Sequence, residues 1–155
     1  MSKPVKEIVN EVLTEGGFSK QRPNNWYKPF PEVVHVVGIQ KSDWGDSYHV
    51  NLAVWVKTLG GSAAPKFNQC HMIRRLEALA LHPSDLAAAL NEEDYWKMDE
   101  AERRRILKLE LGNAMFSFFQ IVGTIEGIRK YIVGPNADKQ VAITRVLKEY
   151  LGVPV

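Results

Sequence analysis

The spacing of apolar residues changes along the chain, and the changes mark its elements. Val5, Ile8, Val9, Val12 and Leu13 fall at i, i+3, i+4, i+7 and i+8, one stripe of a helix. Ser2 is placed to cap its start, and Gly16-Gly17 ends it by supplying left-handed backbone. The period then drops to two. A turn at Arg22-Pro23-Asn24-Asn25 separates two short extended pieces between Phe18 and Lys28. Val33 to Lys41 and Tyr48 to Thr58 read as strands, valine-rich and alternating. On the second, Tyr48, Val50, Leu52, Val54 and Val56 share the apolar face, which leaves His49, Asn51, Ala53, Trp55 and Lys57 on the other. The loop between them is too long for a two-residue hairpin, and Gly45 suits a bulge or a longer turn. Leu59 to Phe67 reads as a flexible connection, and Cys70 to Leu76 as a further strand in preference to the start of a helix.

Helical spacing returns after His82-Pro83, with Leu86, Ala89 and Leu90 marking a short helix. Asp99 and Glu102 form an acidic capping box that opens a long helix, with Leu107, Leu111, Ala114, Met115, Phe118 and Val122 at helical spacing. Thr124 caps another, carrying Ile125, Ile128 and Ile132 and stopped by Gly134-Pro135; Asn136 caps the last, with Ile143, Val146, Leu147 and Tyr150 as its stripe. Strands and helices are segregated in this order, which means α+β. The expected architecture is an antiparallel three- to four-stranded sheet with an N-terminal helix and a C-terminal helical cluster packed on one face. The other face is then left to solvent or to a partner. Residues 1–155 are a one-domain length, and the chain reads as a single domain.

Composition adds limits. Hydrophobic residues at 45% and charged residues at 25% are ordinary for a soluble globular protein, and the single Cys70 forbids an internal disulfide and fits a reducing compartment. The first seventeen residues lack an apolar signal-peptide core, and no stretch approaches the roughly 18 apolar residues of a membrane span. The expectation is a cytoplasmic protein without membrane contact. A net charge of +2, split as +4 over residues 1–75 and −2 over 76–155, falls short of the basic stripe of a nucleic-acid module.

The candidate chemistry is sparse. His35, His49, His71, His82, Cys70, Asp43 and Asp46 supply metal-ligand types without ligand spacing, and Cys70 and His71 would point to opposite faces of a strand, so no metal is expected. No nucleophile motif, dinucleotide fingerprint or phosphate loop occurs; no catalytic residue and no cofactor are expected. Cys70 reads as an inert buried thiol and Glu92-Glu93-Asp94 as a solvated charge run. Arg103, Arg104 and Arg105 spread around their helix, with Arg103 within reach of Asp99 and Glu100. Met115 to Val122 is apolar on more than one face, which suits either a helix buried on several sides or a dimer interface.

The strongest binding candidates lie on the second strand face. If Gln40 pairs with His49, Gly38 lies opposite Asn51. Gln40, His49, Asn51 and Trp55 then make a polar patch with a small-residue floor and an aromatic wall. A one-residue slip removes it, and the plainer reading is a solvated sheet face. A second candidate is the interleaving of Trp26, Tyr27, Trp44 and Trp55 with Lys20, Arg22, Lys28, Lys41 and Lys57, the makeup of a surface that stacks single-stranded bases. Its plainer reading is core and rim packing.

One resemblance joins these strings. A helix ending in Gly17-Phe18 is followed by an extended piece with Trp26-Tyr27. Then come Ile39-Gln40-Lys41-Ser42, a tryptophan loop, the run Val50 to Val54, and Cys70 to Leu76. In this order they resemble the bacterial domain-of-unknown-function family 4304, over roughly Val5 to Leu76. The resemblance implies an α+β domain and an immunity-like role in bacterial conflict, and it assigns no functional residue. The function expected from all of this is a non-enzymatic binding module for a protein partner, a small ligand or a second copy of itself. Single-stranded nucleic-acid binding and an unrecognised hydrolase are the alternatives.

Overall fold

The computed structural model describes residues 3–43, 45–61, 64–94, 98–134 and 141–155. The first helix, α1 (Val5–Glu15), buries Val5, Ile8, Val9, Val12 and Leu13, the stripe its spacing requires. Pro4 precedes it; the expected cap at Ser2 lies outside the described residues. The chain leaves α1 through Gly17 at φ 92°, where a side chain would be strained.

The strands β1 (Ser19–Arg22), β2 (Asn25–Pro29), β3 (Val33–Lys41), β4 (Tyr48–Val56), β5 (Met72–Arg75) and β6 (Ala142–Ile143) form one antiparallel sheet in chain order. Among the described residues the sheet therefore has six strands where three to four were expected. The two short pieces after α1 pair with each other and then with β3, and β6 adds two residues to β5, too few to show any alternation in sequence.

The helices that follow are α2 (Pro83–Ala89), α3 (Glu100–Ala114), α4 (Ile125–Val133) and α5 (Arg145–Leu151). Asp99 caps α3 by accepting from Glu102 N at 2.8 Å, and Thr124 caps α4 by accepting from Gly127 N at 3.0 Å. The last helix starts later than expected. Its cap is Thr144, accepting from Leu147 N at 3.3 Å, while Ile143 pairs with Met72 in the sheet and Asn136 lies outside the described residues. The three arginines of α3 diverge as their spacing requires. Arg103 turns inward, where Nη1 donates to Ala89 O; Arg104 meets Glu11 and Glu100; Arg105 meets Glu102.

The main core lies between one sheet face and the helices. Val37, Leu52 and Val54 pack with Ile8, Leu107, Phe118 and Leu147 in a single cluster. The other face was expected to be uncovered, and over its centre it is not. Tyr27, Val34, Val36, Ala53 and Cys70 form a second buried cluster, with Trp55, Ala64, Phe67 and Ile73 against it. The segment after β4 is the cover. It holds two short 3₁₀ turns, Lys57–Leu59 and Phe67–Gln69, and its Phe67 ring rests where Gly38 leaves the sheet bare. Arg22 Nε donates to Ala64 O at 2.6 Å and Phe67 N to Asn25 Oδ1 at 2.8 Å, which tie the cover down. The physical reason lies in β3, whose residues from Val33 to Ile39 are buried on both faces. A strand that is apolar on both sides has to be covered on both.

Candidate functional site

The register places Gln40 opposite His49 and Gly38 opposite Asn51, the pairing on which the binding patch was conditional. The four residues do not form one open patch. Gln40 is exposed; His49 is half-buried, with Nδ1 3.4 Å from Glu77 Oε1. Asn51 is buried under the cover, its Nδ2 3.5 Å from Gly38 O, and Trp55 stacks on His71 with centroids 4.3 Å apart. Phe67, seated on Gly38, occupies the proposed groove floor.

A different concavity opens on the helical side. It is built by the irregular end of α3. The helix continues through a π-helical turn, Met115–Phe119, in which Gln120 N donates to Met115 O at 2.9 Å across five residues. The wider turn lets the adjacent rings of Phe118 and Phe119 both be buried, at 0% and 2% exposure, which a regular helix step of about 100° disfavours. Phe118 meets Tyr131 edge-on, and Phe119 lies flat on the His35 ring, centroids 4.3 Å apart and planes 12° apart. Beyond the turn the chain brings Val122 O to 3.1 Å from His35 Nε2.

Around this contact is a cavity of about 290 Å³ lined by Phe18, Lys28, Phe30, His35, Met115 and Phe119, with Gln120 and Gly123 completing it. Phe30 tilts against the His35 ring at 4.6 Å. Lys28 faces His35 directly across β2 and β3, donates from Nζ to Gly16 O at 3.0 Å, and lies 5.9 Å from the Phe18 and Phe30 ring centres. A second hollow, about 370 Å³, runs between α1 and α3 past Val12, Leu111 and Gly112 and shares Phe18 and Met115 with the first.

The electrostatics are set by burial. His35 is 2% exposed, and desolvation pushes its imidazole down to about 4. The bond to Val122 opposes that shift and the Lys28 charge adds to it. The ring is therefore neutral near pH 7. A carbonyl only accepts, so Nε2 carries the proton and Nδ1 is a bare acceptor. His71 is also lowered by burial, and its Nδ1 accepts from Val56 N at 2.9 Å. Burial pushes the Cys70 thiol up to about 12.

The remaining candidates fall into place around these. Trp26 and Tyr27 are each 1% exposed, so neither offers a ring face to a base; Trp44 lies outside the described residues. No group of three or more His, Cys, Asp or Glu that could hold a metal occurs among the described residues. No helix among them is long and apolar enough to cross a membrane. Sequence reasoning weighed His35 only as a metal-ligand type and missed its place beside a cavity, and a signal was there. In Val33-Val34-His35-Val36-Val37 a lone polar residue sits on the strand face that meets the helices. Phe119, next to Phe118, likewise falls off the helical stripe to which Phe118 belongs.

An antiparallel sheet with helices over one face, a strap over the other and a ring-lined cavity at the helical side defines an α+β protein with a concave site beside His35. The chain belongs to the family described as a domain of unknown function, DUF4304, whose model matches residues 9–115. Met115 is the last residue matched, so Phe119, Gln120, Val122 and Gly123 come from the segment beyond it. No curated protein and no solved structure matches the chain.

Proposed function

We propose that the protein is a non-enzymatic binding module of the bacterial cytoplasm that holds a small ligand in the cavity beside His35. One observation carries the reading: a cavity of about 290 Å³, walled by aromatic rings, closes on a buried neutral histidine. Apolar walls with a few placed polar groups are the makeup of ligand pockets, and π-helical turns recur at functional sites. Binding is favoured over hydrolysis because a base near pKa 4 is poorly matched to neutral pH, and no serine, cysteine or carboxylate lines this cavity among the described residues. The buried Trp26 and Tyr27 weigh against single-stranded nucleic acid in the same way.

The test is a ligand-observed NMR screen of small aromatic and aliphatic compounds against the wild type and Gly123→Leu. A Cβ at Gly123 meets only ordinary contacts, 3.6 Å from the carbonyl oxygens of Phe119 and Gln120, so the longer side chain fills space without forcing the backbone. Hits that disappear in Gly123→Leu support the reading; hits equally strong in both proteins, or none in either, remove it. A second reading, contact with a protein partner or a second copy, rests on Phe116. This ring is 75% exposed on the π-helical turn, with Leu109 41% exposed one heptad before it. Sedimentation of the wild type and Phe116→Ser tests self-association through it.

A further inference from the structure

We propose that the occupant of this cavity is a small flat aromatic molecule carrying one hydroxyl group, which donates its proton to Nδ1 of His35. The inference rests on the reading of the cavity as a ligand site and adds the chemical class of the ligand.

The argument starts from the imidazole. Val122 O accepts a hydrogen bond from Nε2–H at 3.1 Å, so Nδ1 of the neutral ring has a lone pair and no hydrogen. Among the described residues nothing donates to it. His35 is 2% exposed and lines the cavity. His35 Nδ1 is not among the side-chain atoms that are fully buried without a partner, so it keeps a little accessible surface; with the residue otherwise buried and lining the cavity, a donor held there can reach it.

The surroundings then select the body of the molecule. Phe119 stacks on one face of the His35 ring at 4.3 Å, and Phe30 and Phe18 wall the space beside it, so a flat ring extends an existing aromatic cluster. Lys28 lies directly opposite His35 on the neighbouring strand and gives one N–H to Gly16 O. Its ammonium has further N–H groups, so a hydroxyl that donates to His35 has a donor nearby for its own oxygen. A carboxylate would set oxygen lone pairs against the lone pair of Nδ1, and a hydrocarbon would leave Nδ1 unmet. A volume of about 290 Å³ admits a single substituted ring.

Phenol and toluene test this, being close in shape and differing in the donor. The ¹⁵N signals of His35 in the full-length wild type are followed while each is added. Phenol is expected to move the Nδ1 signal, and toluene to bind while leaving it in place. In His35→Phe the phenol-to-toluene affinity ratio is expected to fall about fivefold, the effect of one neutral hydrogen bond. Comparing ratios cancels the packing change common to both ligands, and the wild-type signals decide the matter if that variant does not fold. Equal responses of Nδ1 to both compounds, or an unchanged ratio, overturn the donor assignment and leave the cavity reading standing. Binding of neither compound at millimolar concentration overturns both.

Discussion

Phe67 sits on Gly38 so closely that a Cβ added at Gly38 would lie 2.2 Å from its Cδ1. The ring covers the stretch of sheet where β3 carries no side chain, and so seals Asn51 beneath the strap. Gly38→Ala must push the ring and the 3₁₀ turn Phe67–Gln69 away. The expected cost is about 1–3 kcal/mol, read as a lower urea midpoint. Gly61→Ala, on the same strap with nothing within 4 Å of its Cβ, is the control and is expected to change stability by less than about 0.5 kcal/mol. Equal effects at the two positions would mean that the ring contact does not hold the strap.

Stability should fall below neutral pH because of His35. In the unfolded chain its imidazole titrates near 6.5; in the fold it titrates near 4. Above 6.5 both states are neutral and this group takes nothing from stability. Between 6.5 and 4 the unfolded chain binds a proton that the fold refuses, so stability drops as pH drops. The loss from His35 alone should reach about 2 kcal/mol by pH 5 and about 3 kcal/mol by pH 4. His71, lowered in the same direction, adds to it. Urea unfolding at pH 7.5 and pH 5 measures the slope. His35→Gln keeps a donor for Val122 without titrating and should flatten that slope.

Glu110 is 0% exposed, and its carboxylate accepts from Leu81 N at 3.1 and 2.9 Å and from His82 N at 3.1 Å. It holds the start of α2 against α3. Glu110→Gln replaces one acceptor with an N–H₂ group facing those donors and should destabilise by about 2–3 kcal/mol at unchanged m. A change below about 0.5 kcal/mol would show that the loop finds other acceptors.

Cys70 should be unreactive in the fold. It is 2% exposed, and its thiol is pushed up to about 12, so almost no thiolate is present at pH 8. Labelling by a chromogenic disulfide is expected only as fast as the protein opens, and at once in denaturant. Stoichiometric labelling of the native protein within seconds would contradict the burial.

How much of this was legible differs by element. The stripe of α1 and the caps at Asp99 and Thr124 follow from local pattern, because each depends on residues within a turn or two of one another; the pairing of Gln40 with His49 was one register among those the two strands allowed, and the structure selects it. The strap was legible only indirectly. Val33 to Ile39 is nearly all apolar, which signals burial on both faces, but nothing local says that Phe67 comes back to cover Gly38. The cavity was less legible still. His35 and Val122 are separated by 87 positions, and only packing brings a carbonyl to one ring nitrogen while no donor among the described residues meets the other.

The sequence by itself determined the α+β class, the valine-rich paired strands and the caps at Asp99 and Thr124. These are properties of neighbours along the chain, where side-chain period and backbone preference act directly. The tertiary structure alone decided that the second sheet face is covered over its centre and where the cavity beside His35 opens. Both depend on contacts between distant segments, and those form to bury apolar surface wherever the chain can reach it.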